Sequence, residues 1–214
     1  MRRTTLALVL ASSVVAITAA GQAVDATAAT AAIAQAAAPA APAVRSGDYR
    51  LDKSHAKIVW GISHFGFSTY YGEFTSFDAA LRLDAANPAA SSLKATIDIG
   101  SVSTNDDKLD AHLKNADFFD AAKFPTATYV STAVHRTGAT TAHVVGNLTL
   151  HGVTRPVDLN VTFNAAGENF ARTYVAGFSA EGLIKRSDFG MTTYLPGLGD
   201  EVSLKISGEF NPTA

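Results

Sequence analysis

Six histidines are the side chains of this sequence best suited to acid–base or metal chemistry: His55, His64, His112, His135, His143 and His151. None stands in a ligand spacing such as H-x-H or H-E-x-x-H. His55 and His64 lie nine positions apart, which along one strand is roughly 30 Å at about 3.3 Å per residue. His135 and His143 read as flanks of a hairpin. Cysteine is absent from all 214 residues, which excludes disulfides, thiolate ligands and thiol nucleophiles. Gly66-Phe67-Ser68-Thr69-Tyr70 lacks the final glycine of a nucleophile elbow, and Gly197-Leu198-Gly199 is a turn, not a phosphate cradle. No catalytic residue, metal set or cofactor is expected. An enzyme built on His55, His64, His112 or His151 would need at least three of them to converge on a metal.

The elements that must position any site are strands. From Pro156 to Asn164, Val157, Leu159, Val161 and Phe163 face one way, and Asp158, Asn160, Thr162 and Asn164 the other. Val202, Leu204, Ile206 and Phe210 alternate in the same way, as do Leu93, Ala95, Ile97 and Ile99, and Phe77, Ala79, Leu81 and Leu83. A period of two with one dry face is the mark of a half-buried strand. Weaker alternation runs through 57–64, 126–135, 141–150 and 172–184. Asn87-Pro88, Thr137-Gly138, His151-Gly152 and Ala166-Gly167 punctuate the strands as short turns. About eight strands with short connections predict an all-β, antiparallel, up-and-down barrel, which hides both the dry face and the open edges. A two-sheet sandwich satisfies the same periodicity. One stretch departs from it: Asn105 to Asn115 has helical spacing, with Leu109, His112 and Leu113 on one side and Asp106, Asp107 and Asp110 in the first turns. It predicts a short helix over about 106–114, followed by a loop that bears Phe118 and Phe119, closing one mouth.

The first 43 residues differ from the rest, holding no aromatic residue and only Arg2, Arg3 and Asp25 as charges. Residues 1–23 read as a secretory signal: a basic start, an apolar stretch from Leu6 to Ala20, then small residues that allow cleavage after Ala20 or Ala23. At about 15 residues the apolar stretch is shorter than the roughly 20 needed to span a bilayer, so no stable membrane anchor is expected. Residues 24–45 form an Ala- and Pro-rich linker, and 46–214 the folded domain. The chain carries 17 Lys and Arg against 19 Asp and Glu, and setting Arg2, Arg3 and Asp25 aside leaves a formal charge near −3. Nothing in that balance recruits a nucleic acid.

An eight-stranded barrel is filled by side chains or holds one small ligand. The inward positions mix large residues (Trp60, Phe77, Phe163, Phe178, Tyr174) with small ones (Ala79, Ala95, Ala176, Ala180, Gly182), a pattern that fits tight interdigitation or a slot. A slot with such a wall suits an elongated hydrocarbon, since burial gains roughly 0.8 kcal/mol per CH₂.

Several blocks, in order, carry a resemblance. They are Tyr49-Arg50-Leu51-Asp52, Ser54-His55, Ile62-Ser63-His64-Phe65-Gly66, Gly72-Glu73-Phe74 and Ile97-Asp98-Ile99-Gly100-Ser101-Val102. Asp110-Ala111-His112-Leu113, Asp117-Phe118-Phe119-Asp120 and Phe124-Pro125-Thr126-Ala127 follow. The run from Gly146 to Val157 and Arg186-Ser187-Asp188-Phe189-Gly190-Met191 complete them. From Asp48 to Phe210 the chain resembles the YceI-like family of secreted lipid- and polyisoprenoid-binding proteins. It departs at Lys108-Leu109-Asp110, where the family more often has Arg before the Asp. The resemblance implies a lipocalin-like barrel, a periplasmic location, no catalytic activity, and a bound polyisoprenoid or other long-chain lipid, quinone-like or a fatty-acid derivative. Combined with side-chain direction it implies a pocket lined by Trp60, Ile62, Phe77, Leu81, Ile97, Tyr129, Leu159, Phe178 and Ile184. Phe118, Phe119, Phe124, Phe189 and Met191 would border the entrance. His112, Arg186 and Asp188 are the headgroup candidates, with Arg186 taking a phosphate or pairing with Asp188. Exposed edges leave room for a homodimer. The alternatives are a stress-response structural domain with a filled barrel and the histidine-based metal-dependent enzyme.

Overall fold

A computed structural model of the chain describes residues 44–213, so the expected signal at 1–23 and nearly all of the 24–45 linker lie outside the described residues. Ten strands and one helix follow in chain order: β1 (Gly47–His64), β2 (Ser68–Phe74), β3 (Phe77–Leu83), β4 (Ser92–Asp98), β5 (Val102–Ser103), α1 (Asp107–Leu113), β6 (Thr126–Arg136), β7 (Thr141–Leu150), β8 (Val153–Glu168), β9 (Tyr174–Lys185) and β10 (Leu198–Pro212). Every pairing is antiparallel. Eight strands form the closed barrel, in the order β1, β10, β9, β8, β7, β6, β4, β3 and back to β1. The expected barrel is therefore the fold, and the sandwich is not.

Two strands are additional. β1 is long enough to pair with β3 through Gly47–Arg50 and with β2 through Ile58–His64, and β5 adds to the outer edge of β2. Pairing slips at Asp52/Ala56 and Ile62/His64 in β1, Ser131/Ala133 in β6 and Phe163/Ala165 in β8. Such bulges bend a strand and increase its twist, which closing a small barrel demands.

The barrel ends differ. At the turn end the connections are short: residues 84–91, 137–140 and 169–173. The last of these is a turn organised by Asn169, whose Oδ1 accepts from Ala171 N and Thr173 N at 3.0 Å each. The turn expected at Ala166-Gly167 is instead the interior of β8, where Gly167 pairs with Val175. At the lid end lie the long segments 99–125 and 186–197. There α1 begins on Asp106, whose carboxylate caps Lys108 N and Leu109 N at 2.9 and 3.2 Å. Asp110 Oδ1 accepts from both Thr104 N and Thr104 Oγ1 at 2.7 Å, tying the helix to the chain leaving β5. Phe119 N donates to Leu113 O at 3.0 Å, folding the Phe118–Phe119 turn back beneath the helix. No helix among the described residues is long and apolar enough to cross a membrane.

Candidate functional site

The inward residues of all eight barrel strands surround a cavity of about 1060 Å³, just above the roughly 300–1,000 Å³ usual for small-molecule sites. The filled barrel, one of the alternatives, is thus not what the chain builds. Ile58, Ala95, Val161, Ala180 and Ile206 form its middle, with apolar residues from neighbouring strands. At the turn end it is bordered by Asp84, Ser91, Ser92, Arg136 and Thr140; at the lid end by His64, Phe65, Tyr70, His112 and Tyr194.

The cavity stays open because its bulky wall residues fold against glycine. Trp60 is the direct cross-strand partner of Gly72, and its six-membered ring occupies the space a Cβ at Gly72 would take. Tyr129 covers Gly146, and Leu159 Cδ2 fills the place of a Cβ at its partner Gly182. Tyr129 reaches far enough across that glycine for its hydroxyl to donate to the carbonyls of Val144 and Val157, both at 3.2 Å. Burial, and secondarily the nearby Asp158 carboxylate, push that phenol up to about 12, so it is a neutral part of the wall.

Of the residues expected in the pocket, Trp60, Ile62, Phe77, Leu81, Ile97, Tyr129, Leu159, Phe178 and Ile184 all border the cavity, as do His112, Phe118, Phe119, Arg186 and Met191. Leu109, His112 and Leu113 present one face of α1 to it, at the i, i+3, i+4 spacing read from the sequence. Three expected residues do not reach it. Phe124 packs its ring on His151, with centroids 4.8 Å apart, and on Gly152, where it takes the space a Cβ would need. Phe189 is almost fully buried in the core behind the wall, and its carbonyl accepts from His151 Nδ1 at 2.9 Å. Asp188 is exposed on the outside of the barrel near Arg155 and Lys185. Of the other inward residues read from sequence, Tyr174 and Ala176 belong to a packed cluster around Tyr49 and Phe210.

Phe118 and Met191, expected to border an entrance, are buried and form part of the lid itself. The expected pairing of Arg186 with Asp188 is also replaced. Arg186 is 4% exposed, and its guanidinium donates to the carbonyls of Gly199, Met191 and Leu198 at 2.7, 2.8 and 2.9 Å. It therefore ties the 186–197 loop to the start of β10. Desolvation lowers its pKa, partly offset by Asp200. Asp200 is engaged with Ser187, accepting from its N at 2.9 Å and its Oγ at 2.7 Å. Burial raises the Asp200 pKa, but these bonds together with Arg186 and Lys185 outweigh it and hold the carboxyl below its ordinary value.

The histidines do not assemble. His64 lies beside Phe65 and Tyr70, His112 against Phe118, and His151 against Phe124. His135 and His143 face each other across the β6–β7 hairpin with ring centroids 6.5 Å apart. His55 is on the outer surface with Asp52. Tyr70 and Phe74 of β2 also border the cavity and were not read from sequence. Their alternation is broken by Gly72, and only the neighbouring Trp60 supplies the missing bulk.

Comparison with known proteins gives a consistent picture. The family model of the YceI-like domain matches residues 49–210. A UPF0312 protein of Pectobacterium carotovorum subsp. carotovorum is 42% identical over 166 residues, covering 77% of this chain and 86% of that protein. Protein YceI of Salmonella arizonae matches with the same identity and coverage. Among solved structures, BcnA of Burkholderia cenocepacia superposes with a TM-score of 0.67 at 28% identity, over 74% of this chain and 98% of its own. The Campylobacter jejuni YceI protein gives 0.65 at 31% identity, over 72% of this chain and 91% of its own. A polyisoprenoid binding domain from Saccharophagus degradans, implicated in plant cell wall breakdown, shares the fold with a TM-score of 0.55 at 16% identity, over 79% of this chain and all of its own.

Proposed function

The chain belongs to the YceI-like domain family, and from that membership and its cavity together we propose that it is a lipid-binding carrier or scavenger. Its ligand is a polyisoprenoid or another long-chain amphiphile, quinone-like or a fatty-acid derivative, with the tail inside the barrel and the polar head at a mouth. The observation that carries this is the cavity of about 1060 Å³, walled by aliphatic and aromatic side chains. Each CH₂ moved from water into such a wall gains roughly 0.8 kcal/mol, so a chain of several prenyl units outweighs the cost of association and ordering. The Saccharophagus degradans domain, described as polyisoprenoid binding, supports the idea that a barrel of this fold accepts such a tail.

A binding role is favoured over catalysis by how the wall uses its polar groups. Tyr129 spends its hydroxyl on two carbonyls and Arg186 its guanidinium on three. Neither offers a proton in line with a partner acid or base. The signal-like residues 1–23 support export, and the carrier would then act in the periplasm.

The test is native mass spectrometry of protein purified from a membrane-containing lysate, followed by prenol titration. The chain has one tryptophan, and it lines the cavity as Trp60, so its emission reports occupancy. A co-purifying lipid and a saturable emission change are expected. Protein that is always ligand-free, with no change on titration, would overturn the proposal.

A further inference from the structure

At the seam where β1 meets β10, the strand pairing sets two carboxylates directly opposite each other. Asp52 is the cross-strand partner of Glu209. Like charges at directly opposed positions destabilise a sheet, so the pair calls for a cation. Two lysines of the same strand are drawn elsewhere: Lys53 Nζ lies 3.2 Å from Asp78, and Lys57 Nζ 2.7 Å from Glu73.

What the chain places there is an imidazole. Residues 53–55 have no partner in β10, since the register resumes at Ala56 with Gly208. This excursion returns His55 to the carboxylates, with Nδ1 3.0 Å from Asp52 Oδ2 and 4.0 Å from Glu209 Oε2. One ligand atom from each of the three residues lies within 4.8 Å of the other two. Ligands bonded to zinc at about 2.0–2.1 Å in a tetrahedron sit about 3.3 Å from one another, so the set is close to that spacing before any metal draws it in. Asp52 is also oriented: its Oδ1 accepts from Ser54 N at 3.0 Å and Ser54 Oγ at 2.5 Å, which leaves Oδ2 turned to His55 Nδ1.

We propose that Asp52, His55 and Glu209 form an outer-surface site for a divalent transition-metal ion of the zinc class, with water completing the coordination. One nitrogen and two oxygens suit a borderline ion, and neither a thiolate-seeking ion nor calcium, which takes six to eight oxygens. The ion bridges the first and last barrel strands on the side of the sheet away from the cavity. It therefore fastens the barrel's closure without touching the ligand, independently of the lipid-binding proposal.

The test is calorimetric titration of the full chain with zinc chloride in a non-chelating buffer, paired with thermal unfolding in the presence and absence of zinc. One-to-one binding and a zinc-dependent rise in Tm are expected. His55→Ala and Glu209→Gln should each weaken binding at least tenfold and remove the Tm rise, while His143→Ala leaves both unchanged. Far-ultraviolet circular dichroism of each variant confirms folding, and Glu209→Gln, nearly isosteric, decides the matter should His55→Ala lose structure. Absence of binding at millimolar zinc, or binding that survives Glu209→Gln, would overturn the proposal, as would binding abolished by His143→Ala.

Discussion

The indole of Trp60 on β1 lies across Gly72 on β2, its direct cross-strand partner, in the space that any side chain at residue 72 would need. Tyr129 on Gly146 and Leu159 on Gly182 repeat the arrangement elsewhere on the wall. A large side chain facing inward need not fill the interior when its neighbour is glycine, because it can lie along the sheet.

Gly72→Ala therefore forces Trp60 toward the lumen. We expect a loss of about 1–3 kcal/mol from overpacking, a shift in the single-tryptophan emission, and weaker lipid binding. Urea denaturation and prenol titration of the same sample measure all three.

Filling the lumen separates capacity from stability. Ala180 on β9 borders the cavity between Val161 and Ile206. Ala180→Phe projects a ring into open space, so it should cut lipid affinity at least tenfold while Tm changes little. Retained affinity would place the ligand outside the barrel.

Arg186 holds three carbonyls at the lid end. Arg186→Met leaves them without their donor in a buried site, and a loss of about 3 kcal/mol is expected from denaturant unfolding. Because the Asp188 carboxylate is no part of this network, Asp188→Asn should be nearly neutral in the same assay.

The helix of the lid starts on a single side-chain cap. Asp106→Ala removes the acceptor for Lys108 N and Leu109 N, which costs about 1 kcal/mol of helix stability. Since α1 presents Leu109, His112 and Leu113 to the cavity, the variant should exchange bound lipid faster. Stopped-flow transfer to acceptor vesicles reads that rate.

Alkaline pH tests the wall. Tyr129 ionises at about 12 in the folded chain instead of 10. Its contribution is therefore fully present below about pH 10 and lost as pH rises through 12. Unfolding measured across that window should show a steep fall that Tyr129→Phe flattens.

The barrel and α1 were legible because alternation and the acidic cap are local signals. β7 spans the residues its alternation marks, and the helix starts on the aspartate that caps it. β2 was not legible, since Gly72 erases its pattern and the compensating bulk sits on β1. The cavity wall followed from side-chain direction once a barrel was in hand. The places of Arg186, Phe124 and Phe189 did not, because each is fixed by a partner elsewhere in the sequence: the Gly199 carbonyl, the bare Gly152 and the His151 side chain. A carbonyl acceptor leaves no trace in residue type. The openness of the interior was equally hidden, resting on which glycine falls beside which ring.

The seam between β1 and β10 has a further consequence for how the molecule comes into being. Thr213 Oγ1 donates to Asp48 O across 165 residues of chain, and one edge of β1 pairs with a strand made long after it. No closed cylinder exists while β10 is still unsynthesised, so the emerging polypeptide stays threadable. Folding then waits on one late, long-range encounter, which is slow by the standards of helical proteins.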